Sequence, residues 1–384
     1  MSDRAEIARR AGAGLRRFAS QVEDTKVLLG FDGFVDSIIQ VVDKRRDLEN
    51  YTPIGTIEQF GQRILGAAGE SSNLELVTTR TKLGGNGPIM ANALAAAGLD
   101  VTYVGSLGYP ELHDVFTDFA ERAEVHSISE PGLTDALEFE DGKIMLGKHE
   151  HLRHVCQERV SSVIGDDRFG EIVRRSRLIG MVNWTMLPAL ETIWDELAEN
   201  ILPHAGEAAE GRRMVFIDLA DPEKRATEDL LGAMNRCTKL NQYVDVLLGL
   251  NLKESIQIAR ALELPVADEP EAAIETTARA IREKLDLHGV VIHPRRGAAA
   301  AIRTEGEVES ASFAGPFVAR PRLSTGAGDN FNAGFCVGRL AGLSVAESLC
   351  VGTATSGYYV RNAESPSIEQ LADFCDCLPQ PEGA

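Results

Sequence analysis

Short apolar runs recur along the chain, with room for a helix between each pair. Lys26–Gly30, Val101–Val104, Leu178–Val182, Met214–Ile217, Val244–Leu248 and Val290–Ile292 carry apolar residues at successive rather than alternate positions, as strands covered on both faces do. Helical patterning fills the intervals at Ile89–Ala97, Ile193–Ile201, Glu228–Leu240, Lys253–Ala261 and Ala272–Leu285. This alternation predicts βα units wound around a mainly parallel sheet. No repeat or low-complexity linker interrupts it, so one domain over residues 1–384 is expected. The Arg-rich segment Ser2 to Phe18 contains Asp3 and Glu6 and lacks a signal-peptide apolar centre, which predicts a surface helix. Two stretches break the alternation. Phe34–Val42 is β-rich straight after a strand, and Leu133–Leu146 alternates on either side of Asp141-Gly142, a hairpin-type turn.

Composition narrows the classes of function. Of the 384 residues, 44% are hydrophobic and 25% charged, which fits a cored globular chain. No apolar run is long enough to span a bilayer, so no membrane partner is expected. A net charge of −19 disfavours nucleic acid, and any anionic cosubstrate must be held by local donors against the global field. The six cysteines are scattered without paired Cys-x-x-Cys units, consistent with a reduced, cytoplasmic protein. His149, His151 and His154 lie close together but match no metal motif, and a polar surface segment is expected there.

The stretch Ser324-Thr325-Gly326-Ala327-Gly328-Asp329 combines small residues with one carboxylate and then opens an apolar helix from Asn330 to Leu340. Without a Cβ at Gly326 and Gly328, the N–H groups of Gly326, Ala327 and Gly328 can converge on phosphate oxygens, with the helix dipole aimed at the same anion. Asp329 would then accept the proton of an attacking hydroxyl. On spacing alone, a Gly-rich turn capping a helix explains the stretch equally well. Asp36 follows the first strand, where open α/β sheets hold ligands, and a carboxylate there can bridge two vicinal hydroxyls. Asp32, in the same loop, reads either as a second sugar ligand or as a turn residue beside Gly33. Asn251 and Glu254 share one helical face after a strand, as a capping box or as phosphate-side ligands.

Five specified positions of the pattern Asp-Thr-x-Gly-Ala-Gly-Asp-x-Phe are present as Gly326, Ala327, Gly328, Asp329 and Phe331, and the stretch resembles the second signature of the ribokinase/PfkB family of carbohydrate kinases. The family's leading Asp and Thr fall on Leu323 and Ser324. Gly84-Gly85-Asn86, before a helix ending at Ala97-Gly98, resembles the first signature, with Ile89 where the family has a helix Asn. Val104-Gly105-Ser106-Leu107-Gly108 resembles the turn after the next strand, and Asn251-Leu252-Lys253-Glu254 matches the Asn-x-x-Glu motif. At the family's Thr-x-Gly-x-x-Gly nucleotide loop this chain has His293-Pro294-Arg295-Arg296-Gly297, a residue shorter and with His in place of Thr. Asp218 and Asp221 resemble an acidic strand-end position.

The resemblance implies a ribokinase-like three-layer α/β/α sandwich with a small β-sheet lid, built from segments near 34–50 and 124–148. It implies an ATP-dependent kinase for a sugar or sugar-like hydroxyl, with Asp329 as base and Gly326, Ala327 and Gly328 stabilising charge on the γ-phosphoryl group. Asp36, Asp32, Gly84, Gly85 and Asn86 would hold the substrate. Arg295 and Gly297 would serve the nucleotide, and Asn251 and Glu254 would position Mg²⁺ mainly through water. Leu323, lacking the family's carboxylate, implies weak or absent activation by a monovalent cation. Family members often pair through lid strands, which makes the lid the candidate face for a homodimer. Three alternatives stand beside this reading: a nucleoside kinase using Phe31 and Phe34 as a stacking surface, an ADP-dependent sugar kinase, and a catalytically silent sugar-binding or scaffold protein.

Overall fold

The structure is a computed structural model that describes residues 4–208, 211–304 and 306–383. Fourteen strands are present among the described residues: β1 (Lys26–Phe31), β2 (Phe34–Arg45), β3 (Tyr51–Pro53), β4 (Leu76–Gly84), β5 (Asp100–Gly105), β6 (Glu124–Ser127), β7 (Gly132–Phe139), β8 (Gly142–Lys148), β9 (Leu178–Met181), β10 (Met214–Asp218), β11 (Asp245–Leu250), β12 (Gly289–Ile292), β13 (Gly297–Thr304) and β14 (Glu307–Ala314). Nine of them form one sheet in the order β14-β13-β12-β11-β10-β9-β1-β5-β6. The strands from β12 to β6 run parallel, and β13 and β14 close the edge as an antiparallel hairpin.

Helices cover both faces, which is why the parallel strands read as unbroken apolar runs. One face packs against Arg4–Phe18, Asn86–Ala96, Ala327–Leu340, Val345–Asn362 and Ile368–Asp376, with Val27, Leu29, Val101 and Tyr103 pointing into that core. The other packs against Asp166–Arg175, Leu190–Glu196, Thr227–Leu240 and Ile274–Leu285, with Leu28, Val246, Leu248 and Val290 pointing that way. The result is a ribokinase-like three-layer α/β/α sandwich. The helix at Arg4–Phe18 is surface-lying yet anchored, with Ile7, Ala11, Leu15 and Phe18 buried and Arg16 bridging to Asp373 and Asp376.

The lid is a separate five-stranded sheet in the order β3-β2-β7-β8, with β4 also paired to β2. Its own small core consists of Ile39, Val41, Ile54 and Leu137. Two boundaries differ from the sequence expectation. Glu124–Ser127 is β6, paired with β5 at the edge of the main sheet, so the second lid segment begins only at Gly132. β4 is a lid strand that the expectation missed, because a strand with one face in solvent carries polar residues such as Thr78, Thr79 and Arg80. In the β7–β8 hairpin Phe139 pairs with Gly142, which puts Glu140 and Asp141 in the loop, one residue earlier than predicted.

Candidate active site

The parallel strands end on one side of the sheet, where open α/β folds hold ligands. A cavity of about 850 Å³ lies there, beneath the lid. The ends of β9, β10, β11 and β12 contribute Asn183, Asp218, Asn251 and His293, and the helix starting at Ala327 brings Asp329 to the centre.

Asp329 sits in the first turn of that helix and is 7% exposed. It is not the N-cap, which is Gly326, in the left-handed conformation at φ 87°, a backbone that a side chain would strain; its carboxyl accepts its own N–H. Asn86 Nδ2 donates to Asp329 Oδ1 at 2.9 Å. Burial pushes the Asp329 carboxyl up to about 7, opposed by the Asn86 hydrogen bond, with the negative charge of Asp32 adding to the rise. A carboxylate poised there is suited to accept a proton near neutral pH. The expected three-donor cradle is reduced by one, because Ala327 N–H turns back to Ser324 O at 3.3 Å. The N–H groups of Gly326 and Gly328 have no hydrogen-bond acceptor among the described residues and remain available to an anion.

The lid end of the cavity, where the sequence expectation puts the acceptor, is lined by Phe34, Asp36, Gly85, Asn86, Thr134, Met145, Gly147, His149, Asn183 and Met186. Asp36 pairs across the lid with Lys82 of β4 and lies beside Thr134 of β7. Burial raises its carboxyl above the ordinary range, while Lys82, the Thr134 hydroxyl and Lys143 pull it back down. Gly84 packs against this carboxylate so closely that a Cβ would lie 2.5 Å from Asp36 Oδ2. Gly84 is not among the residues lining the cavity; its lack of a side chain makes room for the Asp36 carboxylate.

Asp32 is not among the cavity-lining residues, and its oxygens are engaged within the protein. Fully buried, it accepts the N–H groups of Asn86 (3.0 Å) and Gly87 (2.8 Å) and the side-chain amide of Asn183 (2.7 Å). It therefore satisfies the first donors of the helix Asn86–Ala96, below the cavity floor. Burial raises its carboxyl to about 6 despite those three donors. Phe31 is likewise in the core, 6.5 Å from Phe169, so of the two aromatic residues considered for stacking only Phe34 reaches the cavity.

On the phosphate side, Asn251 and Glu254 form the capping box, with Asn251 Oδ1 accepting Glu254 N–H and Glu254 Oε2 accepting Asn251 N–H. Glu254 Oε1 also accepts Asp221 N–H at 2.8 Å. Both oxygens keep a free lone pair and both residues line the cavity, an arrangement that fits a hydrated divalent ion held through water. Burial raises the Glu254 carboxyl, and burial followed by the charges of Glu254 and Asp329 raises that of Asp218 well above its ordinary value. Three carboxyl groups without an ion-paired cation create the field that a divalent ion would relieve. Arg295 and Gly297 line the far end of the cavity with Phe317, Val318 and Pro321, whereas Arg296 stacks on Phe317 from outside the wall. His293 packs its ring on Phe331 at 4.5 Å and contacts Gly328; burial holds its pKa down to about 4, so it is neutral.

Sequence reasoning missed Asn183 and misplaced His149. Asn183 is held at φ 62° after β9, a conformation that Asn tolerates but that leaves no pattern in the sequence. His149 is not a mere surface histidine: it meets Phe34 edge-on at 5.4 Å and closes the acceptor end. Among the described residues no cluster of His, Cys, Asp and Glu could hold a metal directly.

The comparisons with known proteins agree with this geometry. The chain resembles the ribokinase of Arabidopsis thaliana complexed with ribose and ATP (TM-score 0.60, 18% identity, 91% of this chain and 98% of that one). It also resembles a carbohydrate kinase from Agrobacterium tumefaciens (TM-score 0.62, 17% identity, 93% and 98%). In sequence it is 28% identical over 358 residues to a ketohexokinase of Haloferax volcanii, covering 92% of each chain. Sequence and fold together place the chain in the ribokinase/PfkB class of carbohydrate kinases. Within that class the chain belongs to the prokaryotic ketohexokinase family, whose profile matches residues 4–377.

Proposed function

We propose that the protein transfers the γ-phosphoryl group of ATP to a hydroxyl of an uncharged ketohexose. The observation that carries this reading is the placing of Asp329, with its raised pKa, in one cavity with Asp36 and with the free N–H groups of Gly326 and Gly328. Asp36 binds acceptor hydroxyls, and Asp329 takes the proton of the hydroxyl that attacks. The two N–H groups donate to oxygens that gain charge during transfer, where preorganised donors count most. Asn251 and Glu254 would hold Mg²⁺ through its water shell. When bound, that ion neutralises charge on the β- and γ-phosphates.

The acceptor class follows from charge. Among the described cavity-lining residues the cation near this end is Lys224, whose charge reaches His149 but which is paired with Asp221 at 3.2 Å; Lys82 and Lys143 act on Asp36 from outside the lining. A sugar phosphate or sugar acid would bring an anion beside the Asp36 carboxylate, where the nearby cations are already engaged with Asp36 and Asp221. An uncharged polyol suits the site, and the family relationship favours a ketohexose among polyols. A panel of ATP and ADP against D-fructose, an aldohexose, fructose 6-phosphate and adenosine tests this. The highest kcat/KM is expected for ATP with D-fructose, and EDTA should abolish it. Preference for ADP, for adenosine or for the sugar phosphate, or turnover unaffected by EDTA, would refute the reading.

A further inference from the structure

Three lid positions form a row that faces the cavity. Asp36 of β2 pairs with Thr134 of β7, and Thr134 pairs with Gly147 of β8, so the three share one face of the lid sheet, and all line the cavity. Gly147 has no side chain to place there, and its space is taken by His149, two residues further on: a Cβ on Gly147 would lie 2.1 Å from His149 Nε2. The imidazole thus folds back over the end of β8 and completes the row. Phe34 meets it edge-on at 5.4 Å. Neighbouring strands lie about 4.8 Å apart, so the backbones at Asp36 and Gly147 are separated by roughly 10 Å, with Thr134 between them. That interval, with a carboxylate on one side and an imidazole on the other, leaves room for a hexose ring. Neither ring nitrogen of His149 has a hydrogen-bond partner among the described residues. Burial, followed by the charge of Lys224, lowers the pKa of this half-buried ring, so at pH 7 it is neutral and offers one N–H and one lone pair. A sugar hydroxyl can use either.

We propose that His149 is a specificity-determining residue for the acceptor: its imidazole hydrogen-bonds a sugar hydroxyl across the cavity from Asp36. The two side chains grip opposite edges of one sugar, with Thr134 beneath it. The walls beside the imidazole are apolar, made by Phe34 and Met145, so a hydroxyl that reaches this side finds its partner in His149. A site built to bond a hydroxyl rejects an acceptor that lacks it, because the protein's polar group is then left unpaired. The role falls on binding rather than on proton transfer: the Asp329 carboxyl responds to Asn86, Asp32 and Glu254, and His149 is not among the groups that shift it. The inference rests on the reading that the lid end of the cavity holds the sugar.

Acceptor kinetics with D-fructose at saturating ATP test it. His149→Phe keeps an aromatic ring against Phe34 and removes both nitrogens. The acceptor KM should rise roughly 10-fold, the worth of one hydrogen bond whose hydroxyl is left facing carbon, while kcat stays within about 3-fold. His149→Gln, which restores a donor and an acceptor, should recover most of that loss. Among the monodeoxy analogues of D-fructose, one should be a poorer acceptor than D-fructose for the wild type by a similar factor, and no poorer than D-fructose for the Phe variant. A wild-type KM in His149→Phe would make the ring a packing element, and equal losses in the Phe and Gln variants would reduce its role to shape; either result overturns the proposal. If the variants do not fold, the wild-type protein serves. The ring ¹⁵N resonances of His149 should shift when D-fructose is added without nucleotide, and unmoved resonances would overturn the proposal equally. The two readings fail separately: a wild type that does not phosphorylate D-fructose defeats the proposed function, whereas normal phosphorylation with an unaltered KM in His149→Phe defeats only the role of His149.

Discussion

Asp329→Asn is expected to lower kcat by roughly 10²–10⁴-fold, the usual contribution of a general base. The acid limb of the wild-type profile, expected near pH 7 from the raised carboxyl, should disappear with it. Asn keeps the volume of Asp and can still bond to the amide of Asn86, so binding of ATP should change little. Stability separates this outcome from a structural failure. An acid whose folded pKa lies above its unfolded value binds more protons when folded, so the wild type loses stability as pH rises from about 4 toward 7. At pH 8 the Asn variant is free of that cost, and its Tm should equal or exceed that of the wild type. Thermal melts beside steady-state kinetics check both halves. A helix-capping role would predict the reverse: a lower Tm with turnover largely kept.

Asp36→Ala is expected to raise the acceptor Kd by roughly 10–100-fold, since a hydrogen-bonding group that carries charge contributes about 1.5–3 kcal/mol. Nucleotide affinity should be nearly unchanged, because Asp36 stands on lid strand β2 while the end proposed for the nucleotide is lined by Arg295, Gly297 and Phe317. The substitution also removes the carboxylate that faces half-buried Lys82, so a thermal melt of the variant accompanies the binding measurement. Calorimetry with each ligand separately gives the answer. An unchanged acceptor Kd in a folded variant would reduce Asp36 to a structural residue of the lid.

The central parallel strands could be read from the sequence because helices cover both their faces and force continuous apolar runs. The edge hairpin could not. Ala298, Ala299, Ala300 and Ala301 are buried in β13, yet alanine neither alternates with polar residues nor favours strands, so the stretch carries no strand signal. At the cavity, the local motifs at Asp329, Asn251 and Glu254 were legible because each lies within one turn of sequence at the start of a helix. Asp32 was unreadable for the opposite reason. Its partners Asn86 and Gly87 lie 54 and 55 residues away, and only docking of their helix onto the loop after β1 turns an apparent turn residue into an anchor. Asn183 and His149 enter the cavity through tertiary placement alone.

The account stands or falls on where the phosphoryl group goes. The direct measurement is ³¹P NMR of the purified protein with ATP, Mg²⁺ and D-fructose, followed until the donor is consumed. The predicted result is a ketohexose monophosphate formed one for one with ADP, and formed at least about 100-fold more slowly when Asp329→Asn replaces the wild type. Release of inorganic phosphate without a sugar ester, or a sugar ester formed equally well by Asp329→Asn, would contradict it.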